Sequence, residues 1–265
     1  FPDPCDPYSL GQRALAVSTS DLAGMGATPI GFTLALTLPF VDSNWLAEFA
    51  RGLDAMAAGC DMRLIGGDTT RGPLSMTLTV FGRVPVGEAL LRSGAQPGDL
   101  LCVGGAPGDA AGALPIVLGE READTVEAAA LLRRYWSPQP QLALGQALRG
   151  KATAALDISD GLLADCTHIA TASSVSLLIE QARVPLSDSL VRFAGTEQAL
   201  QCALGGGDDY LLAFTLPADA LPTMQSEGWP VHVIGHVEVG EGVRLVDADG
   251  RSVGIGHPGY NHFTN

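Results

Sequence analysis

Short carboxylates recur beside glycine in this sequence, at spacings that suit a divalent cation and a phosphate. Ala155-Leu-Asp157-Ile-Ser159-Asp160-Gly161-Leu162 sets two carboxylates at an expected strand-to-helix junction. Ser159 or Asp160 alone fits an ordinary helix N-cap, but a cap leaves Asp157 unexplained. Mg²⁺ takes one or two protein carboxylates and completes its shell with water and phosphate oxygens, which suits the pair. Ile65-Gly66-Gly67-Asp68-Thr69-Thr70-Arg71-Gly72 follows a hydrophobic strand end. Its glycines let backbone approach a phosphate closely, with Asp68 holding a cation beside it. A tight turn with Asp68 as a local acceptor fits equally well. Gly205-Gly-Gly-Asp208-Asp209-Tyr210 places adjacent carboxylates after glycines, which is costly unless they are solvated or paired with a cation. Ser20-Asp21 by itself reads as a solvent-facing helical pair. Arg92-Ser93-Gly94 offers either a bidentate phosphate ligand or a plain surface arginine.

Other chemistries find less support. Gly145-Gln-Ala-Leu-Arg-Gly150-Lys151-Ala152 nearly matches a P-loop, but Ala152 stands where a Mg²⁺-ligating hydroxyl belongs, and the stretch lies in an expected helix. Lys151 is the sole lysine of the chain. The histidines (His168, His232, His236, His257, His262) have no metal spacing, and no G-x-S-x-G marks a hydrolytic nucleophile. The cysteines form no CxxC and no Cys/His cluster, which argues against zinc and for a reduced, cytoplasmic setting. What remains is a set of Asp-bearing glycine loops with few cations. That combination suits phosphoryl transfer assisted by several Mg²⁺ ions, a reaction needing positioning and charge neutralisation more than covalent groups.

Composition agrees. The chain has 265 residues, 33 of them Gly, with 29 acidic against 15 basic residues and a formal charge of −14. Such a balance repels a nucleic-acid backbone. A hydrophobic share of 46% with 17% charged residues excludes disorder and supports sizeable cores. No apolar run reaches the ~18 residues of a membrane helix. Phe1 in place of Met leads to the expectation that a further segment precedes it.

The elements that must position these loops follow from pattern. A helix is expected over 8–23, stopped by Gly24 and Gly26, then a strand over 29–39 and a helix over 44–58 capped by Asp42 or Ser43. Strands at 62–66 and 74–84 lead to a Gly- and Pro-bearing stretch at 85–98, read as a domain junction. Beyond it come a strand at 100–103, a helix-rich stretch over 109–148, a strand at 153–157 and a helix over 161–172. Strands near 174–180, 210–215 and 231–236 and a hairpin near 240–254 complete the chain. The alternation implies α/β or α+β layers with two cores, divided as 1–85 and 86–265.

Taken in order, AVSTSDLAGMGATP, IGGDTTRGPLSMT, LRSGAQPGD, ALDISDGLLAD, GGGDDYLLAFT and GYNHF resemble the thiamine-phosphate kinase family over essentially the whole chain. The resemblance implies a two-domain α/β (α+β) fold of the aminoimidazole-ribonucleotide-synthetase type. Its N-terminal sheet domain forms a homodimer, and ATP and thiamine monophosphate meet in the cleft between domains. It implies that Asp21, Asp68, Asp157 and Asp160 hold several Mg²⁺ ions, with Asp68, Asp157 and Asp160 catalytic through the metal. Gly67, Asp68, Arg92 and Ser159 would contact ATP. Asp208 and Tyr260 would contact the substrate, Tyr260 against the thiamine moiety. A preceding segment with a further metal-binding Asp and a substrate-binding His is also implied. Neither nucleic acid nor membrane is an implied partner.

Several positions depart from the family pattern. Ser18 replaces Asn, Ser137 and Gln141 replace arginines, Asp208 replaces Glu, Leu211 replaces Glu and Asn261 replaces Asp. Two further readings accommodate the residue types: another ATP-dependent synthetase of the superfamily, or a degenerate or truncated member that binds nucleotide or thiamine phosphate without turnover.

Overall fold

The computed structural model describes residues 5–254. The first helix, α1 (Pro7–Gly24), starts where Asp6 accepts the Ser9 amide at 2.8 Å and Pro7 occupies the first turn. Strand β1 (Thr28–Leu38) leads to α2 (Ser43–Gly59), whose cap is Asp42, accepting from the Asn44 and Trp45 amides. The two helices meet backbone to backbone. A Cβ on Gly52 would fall 1.9 Å from the Tyr8 carbonyl oxygen, and one on Gly11 2.3 Å from that of Phe49. Strands β2 (Leu64–Arg71) and β3 (Ser75–Arg83) flank β1 in the order β2-β1-β3, parallel and antiparallel respectively. Phe32, Leu53, Met56 and Met62 fill the core between helices and sheet. The opposite face is open: every residue of β2 is exposed, and β3 alternates.

Here the strand expected at 62–66 is corrected. It does not stop before Gly66-Gly67-Asp68 but runs through it to Arg71. Gly67 has φ +149, and a Cβ there would meet the Leu34 carbonyl oxygen at 2.0 Å, so β2 can pair with β1 only through glycine at this point.

The second domain is built on a six-stranded sheet. Its strands are β4 (Leu100–Val103), β5 (Ala154–Asp157), β6 (Ser176–Glu180), β7 (Leu212–Leu216), β8 (His232–Glu238) and β9 (Gly242–Val246), in the order β5-β7-β4-β8-β6-β9. Helices α3 (Asp109–Val117), α4 (Val126–Trp136) and α5 (Leu142–Leu148) fill the expected helical stretch, and α6 (Leu162–Ser173) follows β5. Three short helices go beyond the sequence reading: α7 (Asp188–Ala194), α8 (Thr196–Gly205) and α9 (Leu221–Ser226). The hairpin expected at 240–254 is present only as a short return, and β9 finds its main partner elsewhere. Strand β9 pairs in parallel with β6, and only a single antiparallel bridge, Val246 to Ser252, closes the following turn. Ile158, Leu177, Ile179 and Ile234 are fully buried against Leu162 and Ile169 of α6. Among the described residues no helix is long and apolar enough to cross a membrane.

The domains touch where small residues allow it. A Cβ on Gly145 of α5 would lie 2.1 Å from the Ala23 carbonyl oxygen, and one on Gly24 3.2 Å from the Asp157 amide. Met25 O accepts the Leu90 amide at 3.1 Å, and Gln146 reaches the Ala27 carbonyl at 3.2 Å. The end of α1 is thereby pressed against the end of β5.

Candidate active site

That close approach brings Asp21 of α1 and Asp157 of β5 into one cleft. Asp21, Arg92 and Asp157 line a cavity of about 440 Å³ with Leu90, Ser93 and Ala172 at its sides. Burial is the first cause raising the Asp21 pKa, the nearby Asp157 charge the second, and Arg92 opposes both. For Asp157 burial again dominates; Ser20 and Arg92 pull the pKa down and Asp160 pushes it up. Ser20 Oγ is buried with no hydrogen-bond partner of ordinary length, yet it is close enough to Asp157 to act as a weak donor. Two carboxylates that repel each other, Asp157 partly buried and Asp21 at the exposed side of the cleft, face one guanidinium and are a hard-oxygen donor set short of positive charge. Mg²⁺ with phosphate oxygens supplies that charge, so these residues fit the metal. Among the described residues no cluster of three or more His, Cys, Asp or Glu is placed to hold a metal, so ligand phosphates and water would complete its shell.

The loop after β5 carries Ser159 and Asp160. Its shape is set by Asp165, in the first turn of α6, whose Oδ2 accepts the amides of Ser159, Asp160 and Gly161 at 2.9, 3.0 and 3.2 Å. Burial pushes the Asp165 pKa up to about 6, against those donors. The glycine loop lies alongside: the Asp208 and Tyr210 amides donate to the Ser159 and Ile158 carbonyls at 2.9 and 2.8 Å. Asp208 and Tyr210 adopt positive φ (+70 and +53), so extended pairing starts only at Leu212 rather than at 210. Asp208 is paired with Arg13 of α1 at 2.7 Å and accepts from Tyr210 Oη at 3.0 Å.

Asp68 and Gly67 stand elsewhere. They line a separate shallow cleft of about 550 Å³ on the β2 face, with Leu34, Ile65, Gly66 and Thr69, and Asp68 Oδ1 accepts the Thr69 amide at 2.8 Å. Tyr260 lies outside the described residues. Two residues escaped the sequence reading, Arg13 and Asp165, and Gln141 entered it only as a departure from the family pattern. Arg13 sits two helical turns before Ser20 and so shares its face, a signal present in the spacing. Gln141, at a position where the family pattern has arginine, bridges two strand ends. Its Nε2 donates to Gly104 O at 2.7 Å and its Oε1 accepts the Leu212 amide at 2.8 Å.

The fold and the cleft define an AIR synthase related protein. The N-terminal domain model of that class matches residues 1–84 and the C-terminal domain model residues 96–248. Within it, the thiamine-monophosphate kinase of Escherichia coli K12 is 48% identical over 264 residues, covering 97% of this chain and 81% of its own length. That of Bacillus subtilis 168 is 33% identical, covering 97% and 82%. The crystal structure of thiamine-monophosphate kinase from Stenotrophomonas maltophilia K279a superposes with a TM-score of 0.88 at 42% identity, covering 96% of this chain and 82% of its own. AaThiL complexed with AMPPCP and TMP gives 0.88 at 29% identity, covering 98% and 82%. The chain belongs to the thiamine-monophosphate kinase family.

Proposed function

We propose that this protein transfers the γ-phosphoryl group of ATP to the phosphate of thiamine monophosphate, giving thiamine diphosphate and ADP. A phosphate oxygen of the acceptor forms the new bond to Pγ, the bond from Pγ to the β–γ bridging oxygen breaks, and ADP carries away that electron pair. The carrying observation is the convergence of Asp21, Arg92 and Asp157 at the interdomain cleft of a family member. A related protein with this fold is complexed with AMPPCP and TMP, an ATP analogue and the acceptor class proposed here.

The chain's own residues bind and orient. Asp21 and Asp157 would hold Mg²⁺, with Asp160 beside them, and the chemistry supplied there would be charge neutralisation on the transferring phosphoryl. Arg92 binds phosphate oxygens through its planar fork, and Ser159 contacts the nucleotide. The short side chains at Ala23, Gly24 and Gly145 close the domains on each other, narrowing water's access from that side. Gly67 and Asp68 would serve the nucleotide and metal as the family pattern assigns them, from the β2 face rather than from the cleft of Asp21 and Asp157, and Asp68, Asp157 and Asp160 would each act on the reaction through bound metal. Asp208 and Tyr260 contact the thiamine monophosphate. Residues 1–85 and 86–265 are the two domains.

The β2-β1-β3 sheet leaves Ile30, Ile65 and Phe81 exposed. It supports a homodimer formed through this sheet, checked by light scattering. Cys60, Cys102 and Cys166 are buried thiols, which suits a reducing cytoplasm. A coupled ADP-release assay with thiamine monophosphate tests the activity: turnover with Mg²⁺ and none with EDTA is expected. Absence of turnover in a chain that binds ATP and thiamine monophosphate would favour the non-catalytic reading, which no observation on the site prefers.

A further inference from the structure

The Arg13–Asp208 pair joins the two domains at a strained loop. Arg13 Nη2 lies 2.7 Å from Asp208 Oδ1, and the arginine side chain is only 12% exposed. Its guanidinium is fixed from two other sides. Nη1 donates to the Tyr135 carbonyl, and Cζ lies 4.0 Å from the centroid of the Tyr135 ring. Tyr210 Oη donates to the same Asp208 oxygen at 3.0 Å. One carboxylate oxygen is thus held twice, while Asp208 Oδ2 has no hydrogen-bond partner among the described residues and the side chain stays 39% exposed. Both Asp208 and Tyr210 sit at positive φ, a conformation that persists only when its surroundings impose it. Their amides are tied to the Ile158–Ser159 carbonyls, so the loop cannot shift without moving the Asp157–Asp160 segment.

We propose that Arg13 is a positioning residue for acceptor recognition: it locks Asp208 so that Oδ2 points outward to receive a cationic or amino-bearing part of the substrate. This rests on the reading of Asp208 as a substrate contact given above. The thiamine moiety carries both a positive ring and an amino group, so a pre-aimed carboxylate suits it. Arg13 also offsets the charge that Asp208 would otherwise add beside Asp209 and Tyr210. Because the arginine comes from α1 and the carboxylate from the second domain, recognition depends on the contact between the domains.

The test combines two measurements on Arg13→Gln and Arg13→Lys. Steady-state kinetics on Arg13→Gln should show the KM for thiamine monophosphate raised about tenfold with the KM for ATP nearly unchanged, and Arg13→Lys should recover part of the loss. Amide hydrogen exchange should quicken at Asp208, Asp209 and Tyr210 in Arg13→Gln, at a melting temperature close to wild type. Unchanged exchange, or equal factors on the two KM values, overturns the proposal. A wild-type protein inactive on thiamine monophosphate defeats the activity reading instead, and faster exchange in the variant would then still support the latch. If Arg13→Gln does not fold, Arg13→Lys carries both readouts, with a smaller KM shift in the same direction expected.

Discussion

Asp165 Oδ2 accepts the backbone amide of Ser159 at 2.9 Å, reaching back from the first turn of α6 to the loop that precedes it. The same oxygen takes the Asp160 and Gly161 amides, so one carboxylate does the work that caps do elsewhere at a helix start. Gly161 has no side chain to cap α6, and Asp165 supplies the missing acceptor from inside the helix. The candidate metal-binding segment is therefore shaped by a residue that need not touch metal or nucleotide.

Removing that acceptor should be expensive. Asp165→Ala leaves three amides without their acceptor and is expected to lower stability by about 3 kcal/mol and to cut turnover at least tenfold. Asp165→Asn keeps one acceptor oxygen and should lose much less. Chemical denaturation alongside the ADP-release assay reads both, and equal behaviour of Ala and Asn would show that the acceptor oxygen does not matter.

Asp21 and Asp157 share one cleft, whereas Asp68 lies on the β2 face. Asp157→Asn is expected to reduce turnover by at least ~10²-fold if metal neutralisation carries the reaction. Asp68→Asn should do the same through its assigned metal. Wild-type rates in either variant would mean the metal ligands are wrongly assigned.

Asp209 gives a pH dependence. Burial raises its pKa to about 8, against donors from the Gly108 and Ala110 amides and with Asp109 and Asp208 adding repulsion. The unfolded carboxyl titrates near 4. Between those values the folded chain holds a proton that the unfolded chain has lost, so stability falls as pH rises from about 4 to about 8 and this contribution is flat above it. Asp165 acts in the same direction up to about 6. Thermal unfolding of Asp209→Asn should show a flatter pH profile, gaining roughly 5 °C or more on wild type as pH rises from about 5 to about 8, with no further gain above it. Parallel profiles would mean that Asp209 is ionised throughout.

Gly145 is a packing hinge for the site. A methyl group there would lie 2.1 Å from the Ala23 carbonyl oxygen, which must retreat. Gly145→Ala should destabilise the chain by about 1–3 kcal/mol and, by parting α1 from the second domain, separate Asp21 from Asp157. Turnover should fall more than stability alone explains, with the KM for Mg²⁺ rising. A variant that is destabilised yet has normal Mg²⁺ dependence would uncouple this contact from the site.

Local chemistry was legible in the residues because it depends on neighbours in the chain. Asp42 caps α2, Asp157 ends a strand before a helix, and the hydrophobic periods locate most of the longer elements. The Asp-glycine motifs pointed to phosphoryl transfer for the same reason: residue type and spacing fix which ligands can be offered. The sequence could not show that β2 continues through Gly66-Gly67-Asp68, because that depends on pairing with β1 and on the clearance Gly67 leaves over Leu34. Nor could it show that β9 joins β6 in parallel, since strand partners are chosen by the whole sheet. Tertiary structure alone decided that Asp21, 136 residues before Asp157, shares its cleft, that Arg13 holds Asp208, and that Asp165 shapes the loop between them. Electrostatic and steric terms act over ångströms in space, and only close packing of glycine-bearing surfaces turns distant positions in the chain into neighbours.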